Sequence, residues 1–420
     1  MNSRPLLFKP RRLAYVARRE ALGIWSRCSR AEGKRILTVF DPSLIGFQGH
    51  HWEFAQIIKE ACKSKFDVKF YSNLHAKTRI LLSLPAQPIC DEGVYPALGN
   101  FDDIYRSMTE ATIRDLNRIH GCDIGPDAIL IMHTATLFQL GALAQWFTAL
   151  STSERPRLCV QLQFPLEYHL PADTAVRKRA VDSACAATSI LVETGKARLA
   201  SNSGLLADHI SKQLKQKCAV LPVPIRWPKL DQAASPDPGV VFGFFGGLRP
   251  EKGASIIAQA IPAFASQYPD TRFLVHAPVS EADPFAVSVL RAVPQVELIK
   301  DDFDRKSDYF KQFLRASCIL LPYDPVEYAY RTSGILIEAL GLGRLIITTK
   351  GSWLHAESQR RGVTVFGMTS YTANDLLTCL GTVRDRLISR PFKPAINREM
   401  IRENSGEAFG LALVELCRDS

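Results

Sequence analysis

The segment Pro322–Gly351 reads PYDPVEYAYRTSGILIEALGLGRLIITTKG, and its pattern decides the fold. The apolar run CILLP that leads into it predicts a buried strand ending at Pro322. After a polar loop, Thr332 and Ser333 offer N-cap hydroxyl groups to a helix whose apolar residues recur at helical spacing. This helix is predicted to end at Gly341, and LIITT follows as the next strand. The segment therefore predicts the strand, helix and strand unit of a parallel α/β sheet.

Several residues of this segment suit a nucleotide. The loop and the helix start of such a unit lie at the carboxyl edge of the sheet, where α/β folds bind ligands. Free backbone N–H groups near Ser333 and Gly334 suit a phosphate. Arg331 adds a fork of donors, and Glu338 falls on the same helix face, where a carboxylate can accept ribose hydroxyls. The alternative is an ordinary helix start with a solvated arginine and a solvated glutamate.

Composition bounds the class of protein. The chain has 420 residues, which predicts two to three domains, and its 46% hydrophobic and 22% charged residues are typical of globular proteins. Its ten cysteines show neither a Cys-x-x-Cys pair nor Cys/His ligand spacing, so we expect reduced thiols and no zinc site. The sequence shows no apolar run of transmembrane length, and its start lacks the apolar core of a signal peptide, which predicts a cytoplasmic protein.

The positive charge is concentrated at the start of the chain. The formal net charge is +10, and ten lysine or arginine residues fall within the first 35 residues. Leu13, Val16, Leu22 and Trp25 interleave with these cations, as in a basic amphipathic helix at an anionic membrane surface. The alternative is a solvated extension, or one packed outside the first domain. Nucleic acid is disfavoured as a partner, since no recognised binding motif accompanies the charge.

Strands alternate with helices along the chain, with one break. Residues 1–34 form the basic extension, and residues 35–224 are predicted to form a first doubly wound domain. Residues 225–239 carry three prolines and no periodicity, which is typical of a linker. The pattern restarts in residues 240–396, and residues 397–420 are predicted to be a C-terminal helix that can cross back to the first domain. The predicted fold class is α/β, with two tandem Rossmann-like, doubly wound domains.

Three local predictions concern the first domain. Residues 85–103 are predicted to be irregular up to the next helix. Residues 188–194, TSILVET, are rich in β-branched residues and are predicted to be a strand. Residues 195–217 are predicted to be one helix.

A second glycine loop, FFGGLRPEKG, also suits a phosphate. Gly246 and Gly247 leave a predicted strand, and Arg249 and Lys252 then present cations just before a helix. Such a loop can hold a diphosphate between a cation and helix-end amides. The alternative is a tight turn with solvated charges. Because this loop and the loop before Ser333 follow strands that we expect to be neighbours, the two should lie at one edge of the sheet.

The first domain offers further candidates. The strand RILTVFD runs into a loop that contains Gly46, where a glycine permits close backbone approach to a ligand. His50 and His51 follow, as donor-site or acceptor contacts or simply as the first residues of a helix. His133 ends the buried strand DAILIMH, where it could orient an acceptor or a sugar or have a structural role.

The two loops of the second domain resemble those of a known class of enzyme. FGGLRPEKG, followed about eighty residues later by SGILIEALGLGRLIITT, resembles the nucleotide-sugar domain of GT-B glycosyltransferases, most closely glycosyltransferase family 4. The resemblance covers residues 240 to 355. It implies a donor-binding second domain, an acceptor-binding first domain and a deep cleft between them. The YRTSG version resembles bacterial members that act in polysaccharide assembly.

The resemblance assigns roles to four residues. Lys252 matches the phosphate-binding lysine of the family, and Glu338 matches the glutamate that holds the donor ribose. His133 sits where many members place a histidine near the transferred sugar. Gly46 lies in the first-domain loop that faces the donor phosphates.

The chain also departs from the family pattern. The family's arginine position is Gly247 here, so Arg249 is the nearest stand-in. The first glutamate of the E-x7-E motif, which contacts the donor sugar in the family, is replaced by Tyr330. Glu327 lies three residues early and would need a rearranged loop, whereas Arg331 could compensate as a donor to phosphate.

The resemblance implies a glycosyltransferase that moves a sugar from a nucleoside diphosphate to a hydroxyl of a glycan or glycolipid, with retention. Arg249, Lys252 and helix-start amides would stabilise the leaving diphosphate without a metal ion or other cofactor. The expected location is the cytoplasm, with attachment at the inner face of the membrane if the basic extension binds there. One alternative is a GT-B-fold nucleotide-sugar 2-epimerase, for which no convincing pair of acid/base carboxylates is evident. The other is a non-catalytic nucleotide-sugar-binding protein.

Overall fold

A computed structural model describes most of the chain. The described residues are 33–47, 49–84, 86–96, 99–228, 236–278, 282–300, 303, 306–390 and 392–418. The basic extension lies outside these ranges except for Gly33 and Lys34, and residues 229–235 of the predicted linker lie outside them too. None of the helices in the described ranges is long and apolar enough to cross a membrane.

The chain divides into two compact units. The first runs to Leu221 and takes in the chain again from Gly410, and the second comprises Pro222–Phe409. Each unit contains its own parallel sheet with helices between successive strands. Each is therefore doubly wound, as the alternation of strands and helices predicted.

The first unit has a seven-stranded parallel sheet in the order β3-β2-β1-β4-β5-β6-β7. The strands are β1 Arg35–Asp41, β2 Phe66–Asn73, β3 Ala86–Cys90, β4 Ile129–Ala135, β5 Arg157–Leu162, β6 Ala197–Ser201 and β7 Cys218–Val220. The helices are α1 Gly49–Cys62, α2 Thr78–Ser83, α3 Phe101–Leu116, α4 Leu137–Ala149, α5 Thr174–Glu193 and α6 Gly204–Leu214. The strand order reverses between β1 and β4, and ligands bind α/β sheets at such a switch point.

The second unit has a six-stranded parallel sheet in the order β10-β9-β8-β11-β12-β13. The strands are β8 Val240–Phe244, β9 Thr271–His276, β10 Val296–Ile299, β11 Cys318–Leu321, β12 Leu345–Thr349 and β13 Phe366–Met368. The helices are α7 Ala254–Gln267, α8 Pro284–Arg291, α9 Lys306–Phe313, α10 Gly334–Gly341, α11 Trp353–Arg360, α12 Ala373–Ser389 and α13 Arg398–Glu403, and α14, Gly406–Leu416, continues the chain into the first unit. The switch point lies between β8 and β11, so the two predicted phosphate loops follow adjacent strands.

The central strands are buried on both faces. Every residue of β4, β8 and β11 is buried. In the second unit the ring of Phe242 stacks on Phe273 at a centroid distance of 5.5 Å. Parallel sheets covered by helices on both faces read as continuous apolar runs, which is why these strands were predictable.

Three local predictions in the first unit are wrong. Residues 86–90 form the strand β3, which tolerates Pro88 because it lies at the sheet edge. Residues 188–193 lie inside the helix α5, and residues 195–217 contain both the strand β6 and the helix α6. Within α5 the hydroxyl of Thr188 donates to the carbonyl of Ala184, one turn earlier. The helix that Asp173 caps continues through these β-branched residues because packing of one face overrides their weak strand propensity.

The cysteines largely match the expectation of reduced thiols. Eight cysteines in the described part of the chain are free: Cys62, Cys90, Cys159, Cys185, Cys218, Cys318, Cys379 and Cys417. Burial raises the pKa of Cys62 to about 11 and that of Cys218 to about 12, so both thiols stay protonated near neutral pH. Cys122 is disulfide-bonded, so the expectation is wrong at that position, and Cys28 lies outside the described residues.

Candidate functional site

The two predicted phosphate loops of the second unit contact each other. Gly253, at the end of the first loop, has a left-handed backbone with φ of +85° and packs against Pro322. A Cβ atom at Gly253 would lie 2.2 Å from the Pro322 carbonyl oxygen, so only glycine permits this approach. The backbone N–H of Asp324 also donates to the carbonyl of Glu251 at 3.0 Å. The adjacency of β8 and β11 thus brings together loops that are distant in the sequence.

Lys252 is held over the glycine loop. Its Nζ atom donates to the carbonyl oxygen of Gly246 at 2.6 Å and lies 5.6 Å from the ring centroid of Tyr323. The hydroxyl of Tyr323 would be 2.5 Å from a Cβ atom at Gly246, which explains a glycine there. Burial raises the pKa of Tyr323, so its hydroxyl stays protonated beside the lysine. Tyr323 belongs to this site, although the sequence did not single it out.

Gly247 and Arg249 complete the loop. Gly247 has a φ of +68°, a conformation that favours glycine over the arginine of the family pattern. The Nε atom of Arg249 lies 3.2 Å from Oε1 of Glu251, and about a third of the arginine side chain is exposed. Arg249 is therefore an ion-paired residue of the loop rather than a freely solvated cation.

The start of α10 has the predicted cap. The hydroxyl of Ser333 accepts a hydrogen bond from the backbone N–H of Leu336 at 3.4 Å, and Gly334 is the first residue of the helix. Before it, the Arg331 guanidinium stacks 4.6 Å from the ring centroid of Tyr328, and one of its nitrogens lies 3.9 Å from Oε2 of Glu327. Arg331 and Glu327 are therefore paired with each other. The remaining candidates of this loop are half-buried: Tyr330 and Thr332.

Glu338 is not a solvated residue. Its side chain is 3% exposed, and Oε1 lies 2.7 Å from the Nζ atom of Lys306. The hydroxyl of Tyr309 donates to Oε2 at 2.6 Å. Both carboxylate oxygens thus have a donor from α9, a helix that the sequence pattern did not predict. Each oxygen still has a second lone pair with which it could accept a ribose hydroxyl.

The sequence contains one signal for this helix. Tyr309, Phe310 and Phe313 are aromatic residues at helical spacing, and all three are buried. The segment is otherwise polar, so its amphipathic pattern is easily overlooked. Packing of this aromatic face positions Lys306 and Tyr309 beside Glu338. These contacts could not be predicted from the local sequence pattern.

A second group of polar residues lies at the switch point of the first unit. Asp41 ends β1, and His133 lies on the adjacent strand β4. The Nδ1 atom of His51, in the first turn of α1, lies 2.8 Å and 3.0 Å from the two carboxylate oxygens of Asp41. The Nδ1 atom of His133 lies 3.7 Å from the same carboxylate. Asp41 was missed, although it closes a buried strand at the same edge as His133.

The protonation states of this group follow from its burial. Burial alone would raise the pKa of Asp41, but His51 and His133 and the hydrogen bonds to the carboxylate outweigh it and hold that pKa below its ordinary value. Burial lowers the pKa of His133 to about 3, so this imidazole is neutral at physiological pH. The ring of Phe54 stacks on it at a centroid distance of 3.9 Å. An ionised carboxylate therefore lies beside a neutral histidine.

Polar neighbours extend the group outward. The Nε2 atom of His50 lies 3.3 Å from the hydroxyl oxygens of Thr134 and Tyr95. The side-chain amide of Gln163 donates to the carbonyl of His133 at 2.8 Å, which fixes the end of β4. Gly46 lies in the preceding loop, where a Cβ atom would meet no other atom within 4 Å.

Comparison with known proteins identifies the fold. No protein-family model matches the chain, and no curated protein matches it. Among solved structures, the sucrose-phosphate synthase of Thermosynechococcus elongatus superposes with a TM-score of 0.60 at 13% identity, over 91% of this chain and 98% of that one. A glycosyltransferase from Rickettsia africae gives 0.54 at 12% identity, over 92% and 100%. The UDP-GlcNAc 2-epimerase of Neisseria meningitidis, bound to UDP-GlcNAc, gives 0.51 at 16% identity, over 91% and 100%.

These similarities extend over nearly the whole length of each chain. At identities this low they show the fold alone. The chain has the two-domain α/β GT-B fold of these neighbours, as predicted.

Proposed function

We propose that this GT-B-fold protein transfers a sugar from a nucleoside diphosphate to a hydroxyl group of a glycan or glycolipid. One observation carries the proposal: the glycine loop that holds Lys252 and the loop that leads to α10 contact each other at the ends of β8 and β11. Lys252 in the first loop and Arg331 in the second are cations, and the second loop leads into the start of α10; cations beside a helix N-terminus suit a diphosphate.

The chemistry that these residues would perform is charge stabilisation. Negative charge grows on the leaving diphosphate as the bond to the sugar breaks, and fixed donors aimed at that charge lower the barrier. Lys252 has three N–H donors, so it can keep its bond to Gly246 and still bind a phosphate oxygen. Arg249, Arg331 and the amides at Ser333 would share the charge. The diphosphate would then need no metal ion or other cofactor.

Other residues would contact the remaining parts of the substrate. Glu338 would accept the ribose hydroxyls, and His133, with His50 and His51 near it, would help to place the acceptor or sugar. Transfer with retention, membership of family 4 and a role in polysaccharide assembly rest on the sequence resemblance. Tyr330, in the place of a sugar-binding glutamate, implies that the sugar is contacted differently than in that family.

The first experiment is a panel of nucleotide sugars incubated with the full-length chain, with and without glycan acceptors. The proposal expects release of the nucleoside diphosphate that depends on the acceptor. Isomerisation of the sugar would instead indicate a 2-epimerase, the second candidate, which the similarity to the Neisseria meningitidis enzyme favours. Binding without turnover across the panel would indicate a nucleotide-sugar-binding protein.

A variant tests the role of the lysine. Lys252→Ala should lower kcat by about 100-fold and change the donor KM by less than about threefold, because the charge it stabilises develops in the transition state. Lys311→Ala is the matched control, since Lys311 lies on α9 in the same unit with 75% of its side chain exposed. A raised KM with an unchanged kcat would make Lys252 a ground-state anchor.

We also propose that the basic extension attaches the enzyme, in the cytoplasm, to the anionic inner face of a membrane that carries a lipid-linked acceptor. Each lysine or arginine near such a surface contributes roughly 1 kcal/mol, so a few engaged cations with Trp25 suffice for reversible binding. Co-sedimentation with anionic and neutral vesicles, at low and high salt, tests this. Equal recovery of the full-length chain and a chain lacking residues 1–34 in the supernatant of anionic vesicles would rule it out.

A further inference from the structure

Three histidines converge at the switch point of the first unit. His50, His51 and His133 each present a ring nitrogen, and these three nitrogens lie within 4.8 Å of one another. The rings of His51 and His133 are nearly perpendicular, at a centroid distance of 5.1 Å, and those of His50 and His51 are 4.1 Å apart. Imidazole nitrogen is a preferred ligand of zinc and related divalent ions.

His133 gives independent support for a ligand. It is 1% exposed, and among the described residues neither of its ring nitrogens has a hydrogen-bond partner. A buried polar group without a partner is rare in proteins, because leaving it unsatisfied costs free energy. Phe54 covers one face of the ring, Nδ1 lies 3.7 Å from the Asp41 carboxylate, and the His51 ring lies at a centroid distance of 5.1 Å. A bound ion would satisfy it.

The neighbours are arranged as in metal centres. Histidine ligands commonly donate their second ring N–H to a carboxylate, which fixes the tautomer and the orientation of the ring. The Nδ1 atom of His51 faces the buried Asp41 carboxylate at 2.8 Å, which leaves Nε2 available as a ligand. Asp41 also supplies negative charge beside the three imidazole groups.

The three ring nitrogens lie within 4.8 Å of one another, so a modest movement would bring them to the spacing of a tetrahedral site. Zinc–nitrogen bonds of about 2.0–2.1 Å imply ligand-to-ligand distances of roughly 3.3 Å. The hydroxyl of Tyr95 lies 3.3 Å from Nε2 of both His50 and His51, so it or a water in its place has the spacing of a fourth ligand. His50 is exposed, so its ring can move to shorten the remaining separations.

We propose that His50, His51 and His133 bind one divalent ion of the zinc class, with Asp41 orienting His51. This departs from the sequence prediction of no metal, because the pairing of β1 with β4 brings the start of α1, with His50 and His51, close to His133, and this spacing is not evident along the chain. The proposal does not rest on the glycosyltransferase function, because it is argued from the contacts of the histidines alone, although the same three residues are those proposed above to place the acceptor or sugar. Three protein ligands leave a fourth position that a water or hydroxyl group can occupy.

The test uses the full-length chain, stripped of metal with a chelator and titrated with Zn²⁺ by calorimetry, with Co²⁺ as a visible-absorption probe. We expect one ion per chain with micromolar or tighter affinity, and the absorption bands of tetrahedral Co²⁺. His50→Ala, His51→Ala and His133→Ala should each weaken Zn²⁺ binding by about 100-fold or more, and Asp41→Asn by about 10–100-fold.

His209→Ala is the matched control. The Nε2 atom of His209 lies 3.0 Å from Oε1 of Glu167, so it is another histidine–carboxylate pair of the same unit but outside the cluster. It should leave Zn²⁺ affinity unchanged. If a buried variant fails to fold, the exposed His50→Ala, checked by circular dichroism, decides the question. Substoichiometric binding to the wild type, or unchanged affinity in His50→Ala, would overturn the proposal. Failure of the proposed transfer would show in a separate readout, the absence of acceptor-dependent release of nucleoside diphosphate.

Discussion

The Nζ atom of Lys306 lies 2.7 Å from Oε1 of Glu338. This pair joins α9 to α10, the helices that precede and follow β11 in the chain. The hydroxyl of Tyr309 donates to the other carboxylate oxygen of Glu338. The carboxylate assigned to the donor ribose is thus ion-paired with Lys306 and almost fully buried. A ligand that uses it must share it with Lys306 or displace that lysine.

Replacement of Glu338 should affect stability as well as binding. Glu338→Gln leaves the partly buried Lys306 ammonium without a counter-charge, and breaking a buried pair of this kind costs about 3 kcal/mol. Urea unfolding of the full-length chain measures this. Lys311→Met breaks the exposed pair between Lys311 and Asp308 on the same helix, and should cost less than about 1 kcal/mol. Equal costs for the two variants would show that the buried pair contributes no more than a surface pair.

Removal of the Lys306 ammonium tests whether this lysine and a nucleotide compete for the Glu338 carboxylate. In Lys306→Met, Oε1 of Glu338 loses its charged donor and becomes available to ribose hydroxyls. Affinity for the preferred nucleoside diphosphate should therefore rise about tenfold, the equivalent of one charge-assisted hydrogen bond. Calorimetry with a panel of nucleoside diphosphates measures it, with Lys311→Met as control. A fall in affinity would mean that Lys306 contacts the nucleotide itself.

The contact between the two phosphate loops depends on Gly253. Gly239 provides a matched control, because its φ of +83° is nearly the same as the +85° of Gly253, but a Cβ atom there would meet no atom within 4 Å. Gly239→Ala should cost about 1 kcal/mol of unfolding free energy, from the left-handed backbone alone. Gly253→Ala should cost about 1–3 kcal/mol more, because its Cβ atom would overlap the Pro322 carbonyl. Similar unfolding free energies for the two variants would contradict the close approach of the two loops at Gly253.

Stability at acid pH should depend on Glu357. Burial alone would raise the pKa of this carboxyl, but hydrogen bonds from Arg360 and Arg361 outweigh it and hold the pKa below its ordinary value of 4.5. The resulting stabilisation is present above about pH 5 and is lost as the pH falls through the lowered value. Unfolding free energies of wild type and Glu357→Gln, measured from pH 7 to pH 3, should therefore converge on acidification. Curves that stay parallel would exclude the effect.

The hydrogen bonds of Glu357 also connect two helices. Arg361 bonds to Glu357 and to Glu403, so it links α11 to α13 within the second unit. Loss of the Glu357 charge should thus loosen the attachment of α13. Hydrogen exchange of α13 amides would rise in Glu357→Gln at neutral pH, where the wild-type carboxylate is ionised.

Much of the fold was predictable from local pattern. The strands β4, β8 and β11 read as continuous apolar runs because helices cover both faces of a parallel sheet. The glycine loop and the Ser333 cap were predictable too, because a left-handed turn and a helix N-terminus each need particular residue types.

Prediction from the local sequence pattern failed at two helices. The residues TSILVET have the β-branched composition of a strand, yet they end the helix α5, since the surrounding chain packs them with one face buried. The helix α9 was not predicted, because its buried aromatic residues lie in an otherwise polar segment. In both cases tertiary packing overrode a weak local preference.

The chain alone specified the alternation of strands and helices and the residue types at each strand end, because these depend on neighbours in sequence. Which side chains meet was decided only by the tertiary structure. Lys306 reaches Glu338 through packing of the helices before and after β11, and Asp41 reaches His133 because β1 and β4, distant in sequence, are adjacent in the doubly wound sheet. Sequence spacing carries no record of that adjacency, so the partners of each candidate residue, and with them its charge and accessibility, emerge only when the sheet is assembled.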